Sequence, residues 1–360
     1  MCLSHPTFSQ LIRSPNFAKR LFAIIVDEAH CISKWGDSFR KEYGELGRLR
    51  SYVPTHVPFL VTSATMTPTV LLDIHNKLDL ETSKTFIINL GNDWSNITPI
   101  VVKMTGAASN LAALDFVLDE PLSNQPFRRT IIFFNTRDLA YKACERLQQL
   151  APPGFGEKIH FLHALRTTRA KRKIMKAFRS GEIGVMCATE AAGMVSRLRC
   201  FPPSFQSLTI TKGMDIPDVR RVIGFMIPSS LSIWTQRAGR VGRDKEPAGA
   251  ILLVEPSVYQ QRKKKNANSN ESAGDCEDND GETQQQPDSG NIDADKQHVK
   301  KVEPGMRSWI ETRECDCRRD VSDKHFNNPK RTSDPTVPCC DLCVLKKSRT
   351  HPSELAAAEV

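Results

Sequence analysis

The chain has no long hydrophobic run. Hydrophobic residues make up 39% of its 360 residues, and no stretch approaches the roughly 18 apolar residues that a membrane-spanning helix needs. Its first residues, MCLSHPTFSQLIRSP, also lack the basic-then-apolar pattern of a secretory signal peptide. These absences argue against a membrane partner and against secretion. They favour the nucleus as the location, with the cytoplasm as the other possibility.

A second absence concerns phosphate binding. The loop G-x-x-x-x-G-K-[ST] holds nucleotide phosphates through its backbone N–H groups and its lysine. It occurs nowhere in the 360 residues. The chain by itself therefore lacks this means of holding a triphosphate.

Cysteine spacing is more informative than overall charge. The 50 basic and 41 acidic residues give a net charge of +9, which is compatible with a nucleic-acid partner without requiring one. Of the 11 cysteines, five crowd together between positions 315 and 343. In a reducing compartment such crowding indicates a metal site rather than disulfides.

Short apolar runs alternate with helix-length amphipathic stretches. The runs are FAIIV (22–26), PFLVT (58–62), TIIFF (130–134), GVMCAT (184–189), RRVIGFMI (220–227) and AILLV (250–254). This alternation predicts α/β domains with parallel sheets, whose ligand sites lie at the carboxyl ends of the strands. We place part of one lobe at 1–104 and a second, complete lobe at 105–256.

Composition changes after the last apolar run. The residues that follow include almost no large apolar side chains, so they cannot bury enough surface to offset their ordering entropy. We therefore predict a disordered linker over 257–303, a small helical module over 304–346 and a tail over 347–360. The RKKK run at 262–265 is either a nuclear address or solvated surface.

The most informative segment is FAIIVDEAHCISKWGDSFR at 22–40. Its apolar strand ends at an acidic pair. Asp27 can hold Mg²⁺ through a water, and Glu28 can orient the water that attacks the γ-phosphate of ATP. A DEAH tetrapeptide alone is more often a simple acidic turn. With CISKWG and Asp-x-Phe-Arg, it resembles motif II and the aromatic-rich loop of the RecQ family, which are DEAH-type, superfamily-two, ATP-dependent DNA helicases.

This resemblance implies two RecA-like parallel-sheet lobes and gives roles to neighbouring residues. Trp35, Phe39 and Arg40 would couple hydrolysis to DNA, and stacking of an unpaired base on each aromatic ring is worth roughly 1–3 kcal/mol. The alternative is that the rings only anchor their loop. His30 would lie beside the nucleotide.

Two shorter segments support the resemblance. Ser63-Ala64-Thr65 resembles motif III, which implies that Ser63 and Thr65 link the hydrolysis site to the nucleic-acid face. In the second lobe, the segment 133–137 resembles motif IV, and 163–165 falls where the family has Tyr-His-Ala-Gly-Leu, although the glycine is missing. Alone, each segment would more often be packing than function.

The segment QRAGRVGRD at 236–244 resembles motif VI. Two arginines three residues apart, with glycines that allow close backbone approach, suit a loop that faces a triphosphate. An arginine supplied from a second lobe can stabilise transition-state charge. Arg243 is the first candidate, Arg240 is the second, and Gln236 would contact the same region. Arg237 departs from the family, which commonly has Glu there.

Motif V is interrupted. Its beginning contains Thr189, which would meet a DNA phosphate, and its end contains Asp215 on the nucleotide side. The 18 residues 195–212 separate these halves, and deleting them restores an uninterrupted motif. We interpret the segment as a retained short intron rather than an evolved loop, because Val and Lys codons at its ends can match GT and AG boundaries. A translated insertion here should uncouple the two halves.

The carboxyl-terminal cysteines resemble the zinc-binding subdomain of the RecQ family. The resemblance implies tetrahedral thiolate ligation of a structural Zn²⁺ by Cys317, Cys340 and Cys343. Cys339 is the favoured fourth ligand, with Cys315 and His325 as substitutes. The alternative is a tail of free thiols.

By resemblance, then, the chain is a fragment of an ATP-dependent 3'-5' DNA helicase that uses ATP, Mg²⁺ and Zn²⁺ and binds single-stranded and duplex DNA. Because the phosphate loop is missing and motif V is interrupted, we expect negligible ATP hydrolysis from this chain alone. Two alternatives remain: a non-enzymatic DNA-binding remnant built from lobe 2 and the zinc module, and a gene-model artefact. The sequence leaves the preferred DNA structure, oligomeric state, pathway and protein partners open.

Overall fold

The computed structural model describes residues 6–34, 45–123, 127–163, 166–189, 216, 218–263 and 296–350. Its strands are β1 (Ile24–Val26), β2 (Phe59–Val61), β3 (Ile97–Lys103), β4 (Thr130–Phe134), β5 (Ile159–Leu162), β6 (Val185–Ala188), β7 (Arg221–Phe225), β8 (Ala248–Val254), β9 (Gln261–Lys263) and β10 (Lys296–His298). These strands form one large sheet and two small ones.

Helices connect and cover the strands. They are α1 (Pro6–Arg13), α2 (Pro15–Ala18), α3 (His30–Lys34), α4 (Arg48–Tyr52), α5 (Pro68–Lys77), α6 (Asp119–Leu122), α7 (Arg137–Leu150), α8 (Thr168–Arg179), α9 (Leu231–Ala238), α10 (Pro304–Ile310), α11 (Arg318–Phe326) and α12 (Asp341–Thr350). Within the part of the chain that the structure describes, none of the helices is both long and apolar enough to cross a bilayer.

In lobe 1, strands β1 and β2 pair in parallel, with Val26 opposite Val61. Helices α3 and α5 cover one side of this pair through a small core that includes Ala29, Ile32 and Ile74. On the strands themselves, the register partners Ile25 and Leu60 stay 69% and 55% exposed. This face of the two-stranded sheet therefore presents exposed apolar side chains.

Lobe 2 is a six-stranded parallel sheet in the order β3-β8-β7-β4-β6-β5. Residues of β4 alternate between its two faces. Ile131 and Phe133 join the core beneath α8 and α9, whereas Ile132 and Phe134 join the core beneath α7. The predicted α/β class and the buried parallel strands are thus confirmed.

The lobe boundary predicted at residue 104 is wrong. Strand β3 pairs with β8 at seven successive positions, from Ile97 opposite Ala248 to Lys103 opposite Val254. Lobe 2 therefore begins before Ile97. The predicted boundary is misplaced because β3 precedes the long connection to β4. Chain order therefore grouped β3 with the sheet of lobe 1.

The disordered linker predicted over 257–303 is wrong at both of its ends. Strands β9 and β10 pair in antiparallel fashion, and Arg307 Nη2 donates to the Lys300 carbonyl at 2.9 Å. Backbone pairing does not require the apolar side chains on which the prediction depended. Residues 264–295 lie outside the described part of the chain.

The carboxyl-terminal module packs along the outer edge of β3. Thr98 Oγ1 donates to the Pro338 carbonyl at 2.9 Å, and the Val101 N–H donates to Asp341 Oδ2 at 3.2 Å. The indole rings of Trp309 on α10 and Trp234 on α9 have centroids 6.0 Å apart. Helix α12 continues to Thr350, so the folded module extends into the predicted tail.

Candidate nucleotide cleft and metal centre

The acidic pair stands at the carboxyl end of β1. Asp27 is exposed, and its Oδ1 accepts hydrogen bonds from the Glu28 N–H at 2.8 Å and from Thr62 Oγ1 at 3.0 Å. Glu28 has a φ of 54°, a left-handed conformation that is uncommon for a residue with a Cβ. The turn is held by the Ala29 N–H, which donates to the Thr62 carbonyl at 2.9 Å. Strand β2 therefore fixes the position of the carboxylate of Asp27.

His30 connects this turn to the motif III segment. Its Nδ1 lies 2.9 Å from Ser63 Oγ and 3.5 Å from Glu28 Oε2. Ser63 Oγ in turn accepts the Thr65 N–H and donates to the Thr65 carbonyl, both at 3.3 Å. The predicted residues of motifs II and III therefore lie in one hydrogen-bonded group.

Gln236 joins that group from lobe 2. Its Nε2 lies 3.0 Å from His30 Nε2 and donates to Thr65 Oγ1 at 3.0 Å. When the amide donates to His30 Nε2, the ring proton lies on Nδ1, which can donate to Ser63. The start of motif VI is thus bonded to both motif II and motif III, across the cleft between the lobes.

The two candidate arginines follow the end of α9. Arg243 is exposed and its Nε donates to the Gly239 carbonyl at 3.2 Å, while Arg240 is half-buried. Arg237, the residue that departs from the family, is 3% exposed and donates to Asn135 Oδ1 at 3.1 Å. Arg237 thus ties motif VI to motif IV, a link that the sequence did not reveal.

An ion pair holds the far end of the loop that contains these arginines. Arg220 donates to both carboxylate oxygens of Asp244, at 2.9 and 2.8 Å. The Asp218 N–H also donates to Asp244 at 2.9 Å. The hydrogen bond from Arg220 is the largest cause that lowers the pKa of Asp244 to about 2. Asp244 is therefore ionised across the physiological range and anchors the loop.

The glycines of motif VI make close contacts with the protein itself. A Cβ on Gly239 would lie 2.7 Å from the ring of Trp94. Gly242 has a φ of 59°, and a Cβ there would lie 2.5 Å from Asn96 Nδ2. That amide donates to the carbonyls of Gly242 and Glu246 at 2.7 and 2.9 Å. The sequence pattern predicts that these glycines allow close approach of a triphosphate, but the structure gives them a packing role.

Other predicted coupling residues are only partly described. Thr189 is half-buried just after β6, and its N–H donates to the Leu162 carbonyl at 3.3 Å. Trp35, Phe39, Arg40 and Asp215 lie outside the described residues, as does the insertion 195–212.

Four cysteines of the carboxyl-terminal module converge. The sulfur atoms of Cys317, Cys339, Cys340 and Cys343 all lie within 4.8 Å of one another, and those of Cys317 and Cys339 are 3.4 Å apart. Tetrahedral zinc thiolates with Zn–S bonds of about 2.3 Å place their sulfurs about 3.8 Å apart. The donor set therefore fits a zinc ion, and adjacent Cys339 and Cys340 can both take part.

Burial and close mutual contact both affect the thiols of this cluster. Burial raises the pKa of Cys339 and Cys343, and a hydrogen bond with Cys317 together with burial raises the pKa of Cys340. Four thiolates this close would repel one another, and a divalent metal ion offsets that repulsion. Of the two substitute ligands, Cys315 is exposed outside the cluster, and His325 packs against Gly305 and lies 3.8 Å from Glu303.

Comparison with known proteins relates both lobes to one family. Residues 3–74 match the profile of the family described as DEAD/DEAH box helicase, and residues 111–245 match that of the helicase conserved C-terminal domain. The chain is 31% identical over 236 residues to the ATP-dependent DNA helicase RecQ of Pasteurella multocida, a match that covers 66% of this chain and 32% of that protein.

A second relative is the probable ATP-dependent DNA helicase RecS of Bacillus subtilis, 28% identical over 256 residues, with 70% of this chain and 46% of that protein covered. The solved structure of S. cerevisiae Dbp5 bound to RNA and ADP BeF3 matches 64% of this chain and 52% of that chain, with 20% identity and a TM-score of 0.46. The chain thus spans between about a third and a half of the length of these curated relatives. Its two helicase domains and its RecQ relatives show that the chain is a RecQ-like member of helicase superfamily two.

Proposed function

We propose that the chain supplies the hydrolysis and coupling part of an ATP-dependent 3'-5' DNA helicase, which couples ATP hydrolysis to the separation of DNA strands. One observation carries the proposal. Gln236 of lobe 2 is within 3.0 Å of both His30 and Thr65 of lobe 1. This contact supports a hydrolysis site shared between the lobes, because it joins the segment that contains the acidic pair to the helix that precedes the two arginines.

The proposed roles combine the family resemblance with the positions of the side chains. Asp27, exposed at the end of β1, would hold Mg²⁺, which supplies positive charge beside the phosphates. Glu28 would accept a proton from the attacking water as the bond between the γ-phosphorus and its bridging oxygen breaks. Arg243, with Arg240 beside it, would stabilise the negative charge of the transition state. The products are ADP and inorganic phosphate.

Coupling to DNA would pass through the group that spans the cleft. A change in the contacts of Glu28 reaches Ser63 and Thr65 through His30, because each neighbouring pair is within hydrogen-bond or ion-pair distance. Thr189 and the aromatic loop with Trp35, Phe39 and Arg40 would complete the DNA contacts, and Asp215 would lie on the nucleotide side. These last roles come from the family resemblance.

We further propose that the 360 residues alone hydrolyse ATP negligibly, because they include no phosphate loop. The test is DNA-stimulated phosphate release from two purified proteins. One is the chain itself; the other is a fusion in which the chain, without 195–212, follows an amino-terminal helicase segment that contains the phosphate loop G-x-x-x-x-G-K-[ST]. We expect no turnover from the chain and DNA-stimulated turnover from the fusion.

Variants of the fusion test the assigned roles. Glu28→Gln and Arg243→Ala should each lower turnover by at least roughly 100-fold, whereas Lys142→Ala on the surface of α7 should not. Turnover near one per second from the unfused chain would overturn the proposed inactivity. A folded fusion that hydrolyses ATP equally well with Glu28→Gln would overturn the assignment of the acidic pair.

A second candidate function is DNA binding without catalysis, and helix α8 favours it. Its sequence TRAKRKIMKAFR contains no acidic residue. Ile174, Met175 and Phe178 are buried against the sheet, and Lys171 is also buried, but the other basic side chains lie on the outer face. The exposed cations are Arg169, Arg172, Lys173, Lys176 and Arg179. Binding that is salt-dependent but independent of ATP would support this function.

We also propose that Cys317, Cys339, Cys340 and Cys343 hold one structural Zn²⁺. Metal analysis of the purified chain should find about one zinc per molecule. Cys340→Ser should abolish binding, because this thiol is buried in the cluster, whereas Cys315→Ser should retain it. Zinc retained by Cys340→Ser would contradict the assignment.

We propose the nucleus as the location of the protein, on the basis of the RKKK run at 262–265. A fluorescent fusion and its RKKK→AAAA variant test this proposal.

A further inference from the structure

Arg319 occupies an unusual position between the cysteine cluster and lobe 2. It follows Cys317 by two residues on α11 and is 3% exposed. Its Nε donates to the carbonyl of Cys339 at 2.7 Å. Arg319 is therefore joined to the proposed zinc site twice, through the chain to Cys317 and through a hydrogen bond to the carbonyl of Cys339.

The remaining donors of Arg319 reach across to the segment before β3. One Nη donates to the Trp94 carbonyl at 2.9 Å and pairs with Asp93, and the other donates to the Ile97 carbonyl at 2.5 Å. A guanidinium has five N–H groups in a fixed plane, so one side chain can hold several acceptors in a defined arrangement. Here the acceptors belong to the cysteine module on one side and to residues 93–97 on the other.

Residues 93–97 in turn support the loop of motif VI. The ring of Trp94 covers Gly239 so closely that a Cβ there would lie 2.7 Å away. Asn96 Nδ2 donates to the carbonyls of Gly242 and Glu246 at 2.7 and 2.9 Å. Residues 239–246, here called the arginine loop, therefore rest on a segment whose backbone is held by Arg319.

We propose that Arg319 is a positioning residue, through which metal occupancy of the cysteine cluster sets the conformation of the arginine loop. The inference rests on the proposed function for the meaning of that loop, but the structural linkage does not require hydrolysis. Metal ligation fixes Cys317 and Cys339, and so fixes the helix and the carbonyl that orient the guanidinium. Loss of the metal releases both, and the support beneath Trp94 and Asn96 loosens.

The neighbouring Arg318 provides a matched control. It is 4% exposed on the same helix, yet its guanidinium donates to Asp341 and to the carbonyls of Trp309 and Ile310, all within the module. Its link to β3 is indirect, through Asp341. An Arg318 variant should therefore loosen the module without releasing residues 93–97.

Hydrogen–deuterium exchange of the full chain tests the linkage without an activity assay. Amides of the arginine loop are protected by hydrogen bonds, for example from the Gly242 N–H to the Val219 carbonyl at 3.1 Å. In the wild type, removal of zinc by a chelator should speed exchange in 239–246 by about tenfold, as expected for a loss of roughly one net hydrogen bond. Adding zinc back should restore protection.

Variants separate a specific linkage from general loosening. Arg319→Lys should keep about one zinc per chain but show fast exchange in the arginine loop, with little further change on chelation. Arg318→Lys should raise exchange in 304–345 and leave 239–246 as in the wild type. If chelation loosened the module while the arginine loop stayed protected, the proposal would be wrong, even if the helicase assignment held. If the variants did not fold, the reversible wild-type experiment would still decide whether metal occupancy reaches the arginine loop.

Discussion

Gly239 is a residue whose hydrogen side chain is required by packing. Its φ of −67° is accessible to any amino acid, so backbone strain does not explain the glycine. The ring of Trp94 occupies the space of a Cβ. Gly239→Ala should lower the free energy of unfolding by about 1–3 kcal/mol, the usual cost of overpacking.

Denaturant unfolding measures this effect, and Gly249→Ala is the matched control. Gly249 lies in β8, where a Cβ would have no heavy atom within 4 Å. Its replacement should change stability by less than about 1 kcal/mol. Equal losses at the two positions would contradict the packing role of Trp94.

Asp244 gives a prediction about pH. Because its pKa is about 2 in the folded protein and about 3.9 in an unfolded chain, its pair with Arg220 stabilises the fold fully above about pH 4. This contribution is lost as the pH falls toward 2. Asp244→Asn should therefore cost about 1 kcal/mol at pH 7, a value limited by solvent screening of the partly exposed pair, and less at pH 3.

Urea unfolding of both proteins at pH 7 and pH 3 tests this pH dependence. Asp138→Asn, which removes an exposed pair with Lys142 on α7, should have little effect at either pH. A cost for Asp244→Asn that is the same at both pH values would show that the ion pair is not the anchor.

At the scale of elements, the exposed cations of α8 predict a measurable contribution to DNA binding. Reversing three of them, Arg172, Lys173 and Lys176, to Glu should weaken binding of single-stranded DNA by at least roughly tenfold. It should also flatten the dependence of affinity on salt, because fewer counterions are released. Fluorescence anisotropy at two salt concentrations measures both quantities.

The control variant has the same net charge as the α8 variant. Lys19, Lys301 and Lys330 are exposed elsewhere on the surface, and their reversal to Glu changes the net charge by an equal amount. If this triple variant weakened binding as much as the α8 variant, net charge rather than the helix face would be responsible.

The elements were predictable where side-chain pattern alone decides structure. The run at 130–134 is a buried strand at every position, and the stretch that forms α7 has the expected amphipathic pattern. Strand β5 was not predicted because IHFL is only four residues long and is interrupted by a histidine. Strands β9 and β10 were missed because pairing of polar strands depends on the partner backbone, which composition does not encode.

The site was predictable to a similar degree. Motif spacing identified His30, Gln236 and the cysteines, and the structure brings Gln236 to His30 and brings four of the cysteines together. It could not identify Trp94, Asn96 or Arg319, because the contacts that link Trp94 and Asn96 to residues 239–246, and Arg319 to residues 93–97, join segments more than 100 positions apart. Such contacts follow from tertiary packing and leave no local pattern.

For the whole molecule, the insertion 195–212 predicts a large kinetic effect. In the fusion described above, retaining these 18 residues should lower DNA-stimulated phosphate release by at least roughly tenfold relative to the version without them. The reason is that Thr189 and Asp215 would then no longer move as one unit. The control fusion retains 195–212 and lacks the 18 residues 266–283. Its rate should equal that of the fusion that retains both segments.

Equal rates from fusions with and without 195–212 would contradict the uncoupling. Reverse-transcription PCR across the same point addresses its origin, and detection of only the long product would rule out a retained intron.

The module that covers the outer edge of β3 also governs how the chain can be shortened. Thr98 and Val101 have their partners at Pro338 and Asp341. A chain cut before Pro304 would leave the backbone of a seven-residue strand open along one side. Such an edge is a template for pairing with another copy, so we expect the shortened protein to aggregate even though its six-stranded sheet is complete.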